Sequence, residues 1–202
     1  MKVRALYFSN KKSLNLNIEL FIVGFISVFA IMTGTSVAYF SNTGESIIRL
    51  FLSFVFESAN NSYIKIFLII FSEHIIYLIT CLICGTSLYG KIPIIFITFF
   101  NITGISSIIT VLIKNYFLKG LEYCLLVFFP GKIILIFTLI FTSVSCIKAS
   151  EDINKINKKE ESAEFSDKLY LKRVTLSCIM LVISALIDSL TLKLFLPLFD
   201  FQ

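Results

Sequence analysis

Apolar residues come in long runs along this chain, separated by short polar connections and, near the N-terminus and before the last run, by charged stretches. Residues 20–40 and 92–113 carry no charge at all, while residues 66–88, 121–147 and 174–196 are apolar runs with isolated polar interruptions. A hydrocarbon core of about 30 Å takes roughly 20 apolar residues in a helix, so each run is long enough to cross a bilayer. None has the two-residue alternation of a barrel strand, and a helix satisfies its own backbone groups in lipid. The pattern predicts an all-α polytopic membrane helix bundle with about five transmembrane helices, forming one integral membrane domain over residues 1–202.

Between the first two runs, residues 44–57 (GESIIRLFLSFVFE) are too short to cross and carry charges at Glu45, Arg49 and Glu57. This segment is expected to lie flat as a short outer interfacial helix. Residues 149–172 are rich in both signs of charge, and Ser150-Glu151-Asp152 has the composition of a helix N-terminus. They read as a solvated cytoplasmic connector.

Composition narrows the class further. The chain is 57% hydrophobic and 15% charged, against roughly 25% charged in soluble domains. A net charge of +5 admits nucleic acid as a partner until its placement is considered. Lys2, Arg4, Lys11 and Lys12 precede the first run, Lys91 follows the second, and Lys148, Lys155, Lys158, Lys159, Lys168, Lys172 and Arg173 lie between the fourth and fifth. The opposite connections hold only Arg49, Lys65, Lys114 and Lys119. The positive-inside rule accounts for this asymmetry and predicts a cytoplasmic N-terminus and an extracytoplasmic C-terminus, with no nucleic-acid partner. Small residues at Ser36 and Ala38 also admit a cleaved signal peptide, although residues 20–40 are long enough to span.

All five cysteines, Cys81, Cys84, Cys124, Cys146 and Cys178, fall within apolar runs. They imply helix packing rather than a disulfide framework or a metal site. His74 has no nucleophile or ligand spacing around it, and no glycine-rich phosphate loop is present. No enzyme activity and no cofactor are expected.

Ionisable residues inside a span cost about 2.5–3.5 kcal/mol each on insertion scales and usually face protein or water. Glu73, Lys132 and Asp188 are in that position. Counting about 1.5 Å per residue, Lys132 lies about 18 Å and Asp188 about 12 Å from the outer ends of their spans. They are expected to pair, with Glu73 nearby, in an intramembrane polar cluster of structural or functional role. Exchanging the charges of Lys132 and Asp188 is expected to restore assembly lost in either single change. Pro130-Gly131 predicts a kink or break in the fourth span. Pro93 suits the first turn of the third span after the tight turn at Gly90, and Gly85 and Gly90 offer small surfaces for helix packing.

The order Cys84-Gly85-Thr86-Ser87-Leu88-Tyr89-Gly90-Lys91-Ile92-Pro93-Ile94-Ile95, a span with Asn101 and Gly104, Leu118-Lys119-Gly120, Phe128-Phe129-Pro130 and Leu186-Ile187-Asp188 resembles the stage II sporulation protein M family. The resemblance covers most of residues 20–197. The sequence departs from the family pattern at Asp188, where glutamate is usual, and at Pro197, which lies farther downstream than expected. The resemblance implies a bacterial multi-pass protein of this size with five spans. The family's named member anchors two cell-wall-degrading partners that remodel peptidoglycan during engulfment of the forespore, and other relatives lie beside transport genes. Two functions follow as expectations: a non-enzymatic scaffold for extracytoplasmic wall hydrolases in the cell membrane, or a permease-like export or immunity subunit working with a transport ATPase. The surfaces outside the membrane are too small to hold a catalytic domain of their own.

Overall fold

The computed structural model describes residues 2–40, 61–158 and 167–199, with side chains over residues 18–40, 61–158 and 169–199. The segment at 44–57, the centre of the charged connector and the last three residues lie outside the described residues. The described residues are helical throughout apart from short turns. Helix α1 is Lys2–Phe40, α2 is Tyr63–Gly85 and α3 is Lys91–Tyr123. A π-helical turn, Cys124–Phe128, leads directly into α4, Phe129–Asn157. Helix α5 is Asp167–Phe195, followed by a 3-10 turn at Leu196–Leu198.

Among the described residues, four helical stretches are long and apolar enough to cross a membrane: Ile18–Phe40, Tyr63–Gly85, Lys91–Asn157 and Leu169–Leu198. The third, 67 residues long, is not one crossing. Phe117 has φ 47° and ψ −120° inside α3, a left-handed conformation rare for an aromatic residue. There the chain reverses. A Cβ on Gly120 would lie 2.2 Å from the Leu112 carbonyl oxygen, so only glycine fits this close return. Farther from the turn, Thr98 meets Ser143 and Lys91 meets Glu151, the register of an antiparallel hairpin. The last turn of α3 thus already belongs to the returning pass.

The other registers follow from their contacts. Ala30 lies by Thr103, Gly34 by Ser107 and Tyr39 by Lys114, a nearly constant offset, so α1 runs parallel to α3. Thr142 meets Ser177, Gly131 meets Ser184 and Val127 meets Thr191, a nearly constant sum, so α5 is antiparallel to α4. Chain direction therefore alternates from pass to pass. The start of α1, the 86–90 connection and the end of α4 share one face, here called the Lys91 face. Phe40, Asn61, the Phe117 turn and Leu198 share the opposite one.

Small residues set the close approaches. A Cβ on Gly34 would fall 2.0 Å from Ser106 Oγ, which holds α1 against α3, and one on Gly85 would fall 2.9 Å from the Cys146 Cβ, which holds α2 against α4. Gly90 is small for a different reason. Its Cβ would strike the Cys84 carbonyl oxygen within the same turn, and Ser150 Oγ anchors that turn by accepting from the Gly90 N–H and donating to the Ser87 carbonyl. Pro93 sits in the first turn of α3, where its missing N–H has no intrahelical acceptor to lose. The second span begins and ends three residues earlier than the apolar run 66–88 suggests, because Tyr63 and Lys65 enter the helix and Thr86 ends it.

Candidate functional site

Tyr77 in α2 places its hydroxyl 3.2 Å from Thr98 Oγ1, 2.8 Å from Ser143 Oγ and 3.3 Å from the Leu139 carbonyl. Thr98 and Ser143 are themselves 2.6 Å apart. This buried knot ties α2, α3 and α4 together. Toward the Phe117 face of the knot, α2 and α3 diverge around a cavity of about 480 Å³. Helix α2 lines it with Ile70, Glu73, His74 and Tyr77, the three-and-four spacing of a single helix face, and α3 lines it with Phe100, Asn101, Gly104, Ile105 and Ile108. Its back wall is the π turn and α4, and part of α5.

Glu73, Lys132 and Asp188 all line this cavity. Lys132 Nζ is 3.0 Å from Asp188 Oδ2, with side chains 17% and 7% exposed. His74 Nε2 lies 3.4 Å from the same ammonium and 3.9 Å from the same carboxylate oxygen. The Phe128 ring is 5.7 Å from the Lys132 ammonium, a favourable cation–π distance. Glu73 lines the cavity but makes no ion pair among the described residues. Its neighbour His74 occupies the ion-pair side instead, since successive helical residues point about 100° apart. His74 is 4% exposed, and its Nδ1 has no hydrogen-bond partner among the described residues.

Gly131 makes this geometry possible. A Cβ there would lie 1.8 Å from Asp188 Oδ1, so the carboxylate occupies the space that any other residue would fill. Pro130 does not break the pass. It sits in the first turn of α4, just after the π turn. Pro130 has no N–H for the Leu126 carbonyl, and its ring crowds that carbonyl, which favours a locally widened helix. Helix α5 then closes the seam: Ser184 Oγ donates to the Gly131 carbonyl, and the single proton of Thr191 Oγ1 is shared between the Val127 carbonyl and the Ile187 and Asp188 carbonyls of its own helix. Ser177, Ser184 and Thr191 recur every seven residues, with Asp188 four after Ser184, on one stripe facing α4. That spacing is a sequence signal for the seam, and it adds to the three charges the hydroxyls that hold them.

Gly104 has a different environment from the packing glycines. Among the described residues no atom lies within 4 Å of where its Cβ would be, and it lines the cavity. Among the described residues no group of three or more His, Cys, Asp or Glu side chains is placed to hold a metal ion.

A family model described as stage II sporulation protein M matches residues 18–191. No curated protein and no solved structure matches the chain.

Proposed function

We propose, from the premise that this chain belongs to the stage II sporulation protein M family, that it is a non-enzymatic membrane scaffold that positions extracytoplasmic cell-wall-remodelling partners. The observation that carries this reading is how the membrane-embedded polar groups are used. Tyr77, Thr98, Ser143, Thr142, Ser177, Ser184 and Thr191 are all engaged between helices, and such bonds fix helices relative to one another in lipid. A body stitched in this way suits a platform. Its Phe117 face offers exposed Phe117 and Leu118, with exposed Phe40 and Leu198 at the same end of the bundle. In this reading the basic Lys91 face is cytoplasmic by the positive-inside rule, and partners engage the Phe117 face.

Capture of the tagged chain in mild detergent from its own cells tests this. Retained peptidoglycan hydrolases support the scaffold; loss of that retention on replacing Phe117 and Leu118 by serine places the contact. A reporter fused after Gln202 that is active only in the cytoplasm would overturn the orientation. The cavity favours a second reading, a permease-like subunit for export or immunity, because ionisable groups that face a cavity at membrane depth commonly mark a path. Recovery of a nucleotide-binding subunit in place of hydrolases would select it.

A further inference from the structure

The cavity between α2 and α3 has three properties that a mere packing defect does not combine. Its volume of about 480 Å³ falls in the range of about 300–1,000 Å³ typical of small-molecule sites. Gly104 lines it, and among the described residues no atom lies within 4 Å of where its Cβ would be. Its charges are also unbalanced. Lys132 is held by Asp188 at 3.0 Å, which neutralises that pair, whereas Glu73 has no cation within ion-pair distance among the described residues. Glu73 is ten residues from Tyr63 and twelve from Gly85, about 15 Å and 18 Å along the helix. The Glu73 side chain is exposed rather than packed, and an ionisable group at that depth faces a partner or a path.

We propose that this cavity binds a membrane-dissolved amphiphile bearing a protonated amine. The ammonium lies against Glu73, and the hydrocarbon body lies along Ile70, Ile105, Ile108 and Leu192, which line the cavity toward the Phe117 face. An ammonium supplies the cation that Glu73 lacks. A carboxylate or phosphate headgroup in the same place would meet Glu73 as a like charge while its nearest cation is already bound to Asp188. The assignment is independent of the scaffold reading, and its failure would leave the family placement untouched.

The test is native mass spectrometry of the full chain in detergent with three ligands of equal chain length: dodecylamine, dodecanol and dodecanoate. The amine is expected to form a one-to-one adduct with affinity on the order of tenfold or more above the alcohol and the acid, well within the attraction between unit charges a few ångströms apart away from bulk water. Glu73→Gln should reduce the amine to the level of the alcohol. Gly104→Phe, whose side chain enters open space, should abolish all three adducts while leaving the thermal unfolding midpoint unchanged. Equal binding of amine and acid overturns the charge assignment. Undiminished binding to Gly104→Phe overturns the site, and absence of any amine adduct on the unmodified chain overturns the proposal.

Discussion

Replacing Lys132 by methionine keeps most of the stem and removes the cation. Asp188 would then be a carboxylate 7% exposed, packed on Gly131, with His74 Nε2 3.9 Å away. Removing one partner of a buried ion pair costs about 3–5 kcal/mol. Lys132 is 17% exposed to the cavity, which lets water partly relieve the orphaned charge and points to the lower end, about 3 kcal/mol. At about 2–4 °C per kcal/mol for a chain of this size, the midpoint should fall by about 6–12 °C. A thiol-reactive dye in detergent reads this directly, because Cys81, Cys124 and Cys146 are buried free thiols. Lys132→Met combined with Asp188→Asn removes both charges and keeps the shape that fits Gly131. That double variant should be more stable than Lys132→Met alone. If its loss equals the sum of the two single losses, the groups are not coupled and the pairing is wrong. Exchange of the two charges, attractive from sequence alone, should not restore stability: the groove over Gly131 holds a short carboxylate and has no room for a lysine stem.

Gly131→Ala should cost about as much as Lys132→Met, since its Cβ would fall 1.8 Å from Asp188 Oδ1, and the two changes should be non-additive in the same unfolding assay. Tyr77→Phe removes one hydroxyl but leaves Thr98 and Ser143 paired at 2.6 Å, so the loss should stay near 1 kcal/mol, about 2–4 °C. Gly85→Ala brings a Cβ 2.9 Å from that of Cys146 and should destabilise by about 1–3 kcal/mol; Cys146→Gly in the same chain should recover most of it, and Cys146→Ala, which retains the offending Cβ, should not.

The charged members of the site are conspicuous in the sequence because an ionisable residue in an apolar run has so few ways to be satisfied. Lys132 and Asp188 each need an opposite charge at similar depth, and depth follows from counting residues. The hydroxyls carry no such demand. Ser27 bonds the Val23 carbonyl and Thr80 the Ile76 carbonyl four residues back in their own helices, so a serine or threonine in a span is satisfied whether or not it reaches a neighbour. Which of them cross to another helix depends on the face each helix presents, and that is set by packing. The same reason separates His74 from Glu73. Depth places both at the site, but only helix rotation decides that the histidine joins the ion pair and the carboxylate faces the cavity. The sequence marks Gly131 as part of a helix break but not as the place that admits a carboxylate, and nothing in it marks Gly104 as a cavity residue.

The π turn connects these rotations. Tyr123 and Lys132 both line the cavity, yet residues nine apart in a regular α-helix, at about 100° each, point to opposite sides. The turn at Cys124–Phe128 absorbs one extra residue, which brings the two faces together and leaves the Val127 carbonyl for Thr191. Deleting Leu125, which is 55% exposed, should therefore close the turn into regular helix with both flanks still facing as they do now. Deleting Ile136 within α4 has no bulge to draw on and would rotate everything beyond it by about 100°, tearing Ser143 from Tyr77. The Leu125 deletion should fold, with a loss of about 1 kcal/mol from the Thr191 bond and little further penalty from Thr191→Val; the Ile136 deletion should fail to yield folded protein. Equal damage from the two deletions would show that the π turn is not what sets the register between Tyr123 and Lys132.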